Sequence, residues 1–178
     1  MTAYLKGIIV ILLFCTVKSY SQTPGPVFPD QGSVFDVQDA DYIPKSGSSL
    51  KAIFDIDRKL KDHSTPNPLI SSLHRYYNMH VRNGIKEMDI HLAFVVHGLS
   101  TDHVLKDEAY HKRYGSNNPN TPLIRTLAEK GVKMYICGQS ASYRKIKKDE
   151  LLPNVQMALS AMTVLTTFQM EGYGMIKF

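Results

Sequence analysis

The 178-residue sequence is poor in cysteine, with only Cys15 and Cys137. Neither belongs to a CxxC pair, which excludes a thioredoxin-like dithiol mechanism within one chain. Other catalytic signatures are missing as well. There is no GxGxxG after the first strand, so dinucleotide binding lacks its fingerprint, and no GxSxG of a serine hydrolase. All seven histidines lie between His63 and His111, yet none falls in an HExxH or other metal spacing, so no metal site and no cofactor are expected. No internal repeat or low-complexity tract is present. Excess charge is also scarce: once Lys6 and Lys18 are discounted with the leader described next, the formal +5 becomes only mildly positive. That argues against nucleic acid and against a charged membrane surface as partners.

Long apolar runs are confined to the N-terminus, where Lys6 precedes an apolar stretch over 7–17 and then Ser19, Tyr20 and Ser21. Charged, apolar and small residues in that order predict a secretory signal over 1–21, cleaved near Ser21. The run falls well short of the roughly twenty residues that cross a bilayer, so no stable membrane anchor is expected. A lipid-attachment reading of Cys15 is opposed by the bulky Phe14 before it. The expected location is periplasmic or secreted, with Cys137 the one remaining thiol. Oxidising compartments normally pair thiols, so Cys137 is buried and inert, paired between chains, or reactive.

Residues 22–49 are rich in Pro, Gly, Ser and Asp but carry Phe28, Val34, Phe35, Val37 and Tyr42. They read as a linker or as a strap pinned to the surface. Residues 50–178 are regular. The stretch KAIFDID (51–57) predicts a strand. Asn67 and Pro68 then open a helix carrying Leu69, Leu73, Tyr76, Tyr77 and His80, closed by Asn83-Gly84. DIHLAFVV (89–96) predicts a strand buried on both faces, and 101–114 predicts one helix ended by Gly115. A short helix over 122–130, a strand over 132–136, a helix from about Gln139, a strand over 155–158, a helix capped by Ser160 and a strand over 174–178 complete the pattern.

Alternation of this kind predicts a three-layer α/β/α domain with a mainly parallel sheet of about five strands. Ligand-binding loops of such sheets gather at the carboxyl ends of the strands. Asp57, His97, Cys137 and Ser160 all fall there. A cysteine at a helix N-terminus faces unsatisfied N–H groups, here those of Gln139 and Ser140, and the positive end of the helix dipole, both favouring thiolate. Gly138 permits a tight turn that leaves the sulfur uncovered, and the basic run Arg144, Lys145, Lys147 and Lys148 adds positive potential or is a solvated helix face. The competing reading is inert packing, the commonest state of an unpaired cysteine. His97 is a candidate for orienting a substrate or donating a proton, or a structural histidine. Asp55 and Asp57 are candidate acids that a strand-to-loop transition explains without chemistry, and Ser160 is explained by helix capping.

The segments FVVHGLSTDHVLKDEAYHKRYGSNNPN, LAEKGVKMYICGQS and LLPNVQMALSAMTVLTTFQMEGYGMIKF, taken in order, resemble the DsrE/DsrF-like proteins, which include sulfur-relay subunits. The likeness runs from about Ser49 to the C-terminus. It implies a compact homo-oligomer, commonly a trimer or hexamer. It further implies that Cys137 carries sulfane sulfur as a persulfide between a donor and an acceptor thiol, with His97, Gly98, Gly138, Gln139 and Ser140 as its substrate-binding neighbours. Two alternatives are a non-catalytic oligomeric module binding a small ligand or protein, and a thiol redox sensor.

Overall fold

The computed structural model describes residues 21–58, 60 and 62–178; the signal peptide expected over 1–21 lies outside them except for Ser21. Five strands, β1 (Leu50–Ile56), β2 (Ile90–Val96), β3 (Lys133–Cys137), β4 (Val155–Ala158) and β5 (Gly174–Ile176), form one sheet in the order β4-β3-β2-β1-β5. Every neighbouring pair is parallel. Parallel pairing forces a crossover between strands. These are supplied by α1 (Pro68–Arg82), α2 (Asp107–Tyr114) with α3 (Thr121–Glu129), α4 (Gly138–Tyr143) and α5 (Ala161–Met170).

Alternation along the strands divides the core. Ala52, Phe54 and Ile56 join Leu92, Phe94 and Val96 beneath Ile70, Leu73 and Tyr77 of α1 and Leu123, Ile124 and Leu127 of α3. Ile53, Ala93, Val95 and Cys137 face the other way, onto Ala161, Val164 and Phe168 of α5. Both faces are covered, which is why β1 and β2 read as nearly continuous apolar runs. The cover is unequal, because α5 serves its face largely alone. It packs beneath β1, β2 and β3 while joining β4 at one edge to β5 at the other. That long traverse returns the C-terminus to the flank of β1.

Helix starts follow their capping residues. The Asn67 side chain accepts the Leu69 N–H at 2.8 Å ahead of Pro68, and Ser160 Oγ accepts the Thr163 N–H at 3.0 Å. The predicted helix over 101–114 is two elements: a 3-10 turn at Gly98–Val104 and then α2. The break has a tertiary cause. Asn118 Nδ2 draws in the carbonyls of His103 and Leu105 at 3.0 and 2.7 Å, and Leu105 pairs with Leu151 in an isolated bridge.

Residues 23–34 lie against α1. Phe28 and Val34 are buried, Thr23 and Val34 form an antiparallel bridge, and the carboxamide of buried Asn78 is bound to the backbone of Val27, Phe28, Gln31 and Gly32. Gly32 sits at φ +64°, where an added Cβ would also strike the backbone of α1. No described helix is long and apolar enough to cross a membrane.

Candidate functional site

Cys137 ends β3 and is followed without a loop by α4. Its Cα pairs with that of Ala158, the last residue of β4. Gly138 makes this junction possible for a reason that the sequence hides: a Cβ there would collide with the Ala158 carbonyl oxygen. Because the obstruction is backbone, no rotamer change relieves it. The close approach brings the start of α5, at Ser160 and Ala161, against the sulfur.

The thiol is 5% exposed. Burial alone raises its pKa, but the Ser140 hydroxyl and the N–H groups of Ser140, Ala161 and Gln139 act more strongly together and hold it below the ordinary thiol value. The sulfur makes no N-capping hydrogen bond of ordinary geometry to α4. A neutral thiol is a weak acceptor, and these donors exert their pull on the charged form. Donors from two helix starts, α4 and α5, therefore converge on one atom. Ser140 is itself fixed, since its Oγ accepts the Gly98 N–H at 3.0 Å. Gly98 holds φ +56°, a left-handed conformation suited to glycine, with open space where a Cβ would lie.

Cys137 lines a pocket of about 310 Å³ with Asp55, His97, Gln139, Ser160 and Met162 among its neighbours. His97 Nε2 lies 2.7 Å from Asp55 Oδ1, so the ionised carboxylate places the ring proton on Nε2. The other oxygen of Asp55 accepts from Lys177 Nζ at 2.7 Å, and Lys177 also reaches Asp57 at 3.0 Å. Hydrogen bonds to the two carboxylates raise the pKa of Lys177, and its hydrogen bond to Asp57 lowers that of Asp57. Asp55 is 7% exposed, so its two partners compensate a nearly buried charge. His97 Nδ1 makes no hydrogen bond among the described residues and is left to exchange a proton or orient a ligand.

Gly98 and Ser140 line an adjoining pocket of about 280 Å³ with Leu99, Tyr143 and Arg144, and Gln139 borders both pockets. Gly138 lines neither. Ser160 caps α5 and also lines the cysteine pocket. The basic run adds less field at the sulfur than its composition implies: Arg144 pairs with buried Asp102, which also binds Arg113 at 3.3 Å and the Tyr114 hydroxyl at 2.5 Å. Asp55, Lys177 and the Ala161 amide are the participants that sequence reasoning passed over. Asp55 carried a visible signal, a carboxylate two residues before Asp57 at a strand end. Lys177 carried none, because only the return of β5 beside β1 brings it there.

Among the described residues no group of three His, Cys, Asp or Glu side chains is arranged to hold a metal ion. The site is suited to nucleophilic sulfur chemistry: a buried thiol biased toward thiolate, polar groups around it, and a histidine oriented by Asp55 on the same pocket.

Comparison with solved structures supports the fold. The chain superposes on a protein of unknown function, MTH1491 from Methanobacterium thermoautotrophicum, with a TM-score of 0.56 and 18% identity, over 72% of this chain and 99% of that one. It also superposes on the ychN protein from E. coli, with a TM-score of 0.53 and 13% identity over the same shares. No curated protein matches the sequence. The model of the DsrE/DsrF-like family matches residues 68–178, more than half of the chain. This matched region holds β2 to β5, with His97, Cys137 and Lys177, and the chain belongs to the DsrE/DsrF-like family.

Proposed function

We propose that this protein is a sulfur carrier that holds sulfane sulfur as a persulfide on Cys137. The observation that carries the reading is a lone, buried thiol at the β3–α4 junction, lining a pocket with His97 and with the start of α5 packed against it, its pKa held below the ordinary thiol value. Membership of a family associated in general with sulfur relay supports it. In the loading step the Cys137 thiolate attacks the outer sulfur of a donor persulfide, R–S–SH. A new S–S bond forms at Cys137, the donor's S–S bond breaks, and R–S⁻ leaves with its electron pair. In the unloading step an acceptor thiolate attacks the outer sulfur of the Cys137 persulfide and Cys137 departs as thiolate. No external oxidant or reductant is consumed. The amides of Gln139, Ser140 and Ala161 would stabilise whichever sulfur bears the charge, and His97, oriented by Asp55, would manage the proton of the outer sulfur.

Leu99, Tyr143, Leu159 and Met162 are exposed around the two pockets. Apolar side chains grouped at the mouth of a site favour delivery by docking of another protein surface, and DsrE-family members are often oligomeric. We place the donor, the acceptor and a second copy of this chain among the candidate partners. The test is transfer from a polysulfide to a small acceptor thiol, followed as acceptor persulfide, together with iodoacetamide alkylation of Cys137 across pH. Transfer should vanish in Cys137→Ser, and half-maximal alkylation should come at lower pH in wild type than in Ser140→Ala. Equal transfer by Cys137→Ser would dismiss the carrier reading.

A further inference from the structure

A second cavity, of about 530 Å³, lies across the sheet from Cys137, on the α1 face at the β5 edge. Its existence follows from the topology. The helix that leads into β5 is α5, which occupies the opposite face, so β5 has no helix from its own crossover above it on the α1 side. The gap is floored by Phe54 of β1 and Ile176 of β5, walled by Tyr76 and Met79 of α1, and closed by Phe178 and by Phe35 of the strap. Phe54 stands edge-on to Tyr76 with centroids 6.0 Å apart and lies 6.5 Å from Phe178. The rings thus make a box rather than a filled core.

Two of its lining residues are charged, Arg58 and Arg75, and both are cationic. Both are exposed, and neither makes an ion pair among the described residues. The combination is selective. A purely apolar ligand would leave the two guanidiniums unused, and a small inorganic anion would leave the aromatic box unfilled. Size, apolar lining and few polar groups are the ordinary attributes of a small-molecule pocket. The strap's contribution is held in place from behind, because Val34, immediately before Phe35, is buried and bridged to Thr23. The strap also lies outside the residues that the family model matches, 68–178.

We propose that this cavity binds a free amphiphilic anion, a medium-length acyl or alkyl chain ending in a carboxylate, with the chain in the aromatic box and the head on Arg58 and Arg75. Guanidinium and carboxylate geometries match for paired hydrogen bonds. The site is independent of Cys137 and of the sulfur-carrier reading.

The experiment is titration of the full chain with dodecanoate below its micelle concentration, followed by calorimetry and by NMR shifts of the Met79 methyl. Dodecanol, butyrate and phosphatidylglycerol vesicles serve as comparators. Saturable one-to-one binding of dodecanoate is expected, with butyrate far weaker and the protein left in the supernatant when vesicles are pelleted. Arg58→Gln with Arg75→Gln should weaken dodecanoate by roughly tenfold or more, the loss of a charge-assisted hydrogen bond, and change dodecanol little. Phe35→Ser should weaken both. Because these side chains are exposed or border open space, the variants retain the core, which circular dichroism checks. The proposal is overturned by any of three results: no saturable binding, equal dodecanoate affinity in the double arginine variant, or sedimentation with vesicles in place of binding to the monomeric amphiphile. It is equally overturned if light scattering shows a multimer that Phe178→Asp dissociates while wild type binds no dodecanoate, for then a second copy occupies the face.

Discussion

Asn78→Ala should release the strap from α1. The carboxamide of Asn78 accepts the N–H groups of Val27 and Phe28 at 3.1 and 2.9 Å and donates to the carbonyls of Phe28, Gln31 and Gly32 at 3.0, 2.9 and 3.0 Å. If the strap stayed docked without that side chain, the buried N–H and carbonyl of Phe28 would lose their partner away from water, and the part-buried groups of Val27, Gln31 and Gly32 would lose theirs nearer the surface. Each buried loss costs about 1–3 kcal/mol and the part-buried ones less, which together offset the gain from keeping Phe28 and Val34 buried, about 1.5–3 kcal/mol for each side chain. The strap should therefore open readily, since free backbone groups rebind water. The sheet and helices should survive, with Tyr77 and His74 losing the Phe28 ring that packs 5.7 and 4.5 Å from them. Hydrogen exchange and limited proteolysis read the outcome: strap amides should exchange at free-chain rates, and cleavage within 22–49 should become fast while the remaining fragment keeps its circular dichroism. Wild-type protection of Val27 and Phe28 in the variant would refute the reasoning. Asn78→Asp, which keeps the acceptors but turns a buried carboxylate oxygen toward the carbonyls of Phe28, Gln31 and Gly32, should release the strap at least as fully.

Gly138→Ala should cost about 1–3 kcal/mol, the usual range for overpacking, because its Cβ meets the Ala158 carbonyl. The forced separation of α4 from β4 should also slow alkylation of Cys137; denaturation midpoints and alkylation rates test both, and an unchanged pair would show that the close approach is not required. His103 is a source of acid sensitivity. Burial lowers its pKa from 6.5 to about 4, and its Nδ1 accepts from Asn67 Nδ2 at 2.7 Å, an arrangement that needs the neutral ring. A base whose folded pKa is depressed contributes its full stability above pH 6.5 and loses it as pH falls toward 4. The loss should approach about 3 kcal/mol below pH 4, and His103→Gln should flatten the decline in denaturation midpoint between those limits. An identical slope in wild type and variant would count against it.

The alternation of strands and helices was legible because each element carried its own local signal: Asn67-Pro68 for α1, the apolar run of β2, and Ser160 for α5. The placement of His97 and Cys137 at strand ends followed from the same pattern. What escaped was whatever depends on strand order. The route from β4 across to β5 has no local signature, yet it sets Lys177 beside Asp55 and Asp57 and turns Asp55 from a strand-end residue into the partner of His97. The requirement for Gly138 is likewise a property of β4, twenty residues further on. The helix expected over 101–114 failed for a similar reason, since Asn118 and Leu151 reshape it from outside its own span.

The central claim is that Cys137 accepts sulfane sulfur, and intact mass tests it most directly. Purified protein is exposed briefly to polysulfide, with Cys137→Ser in parallel. Wild type should gain one or more sulfur masses that dithiothreitol removes, and Cys137→Ser should gain none. Wild type that keeps its original mass with Cys137 still free would contradict the account.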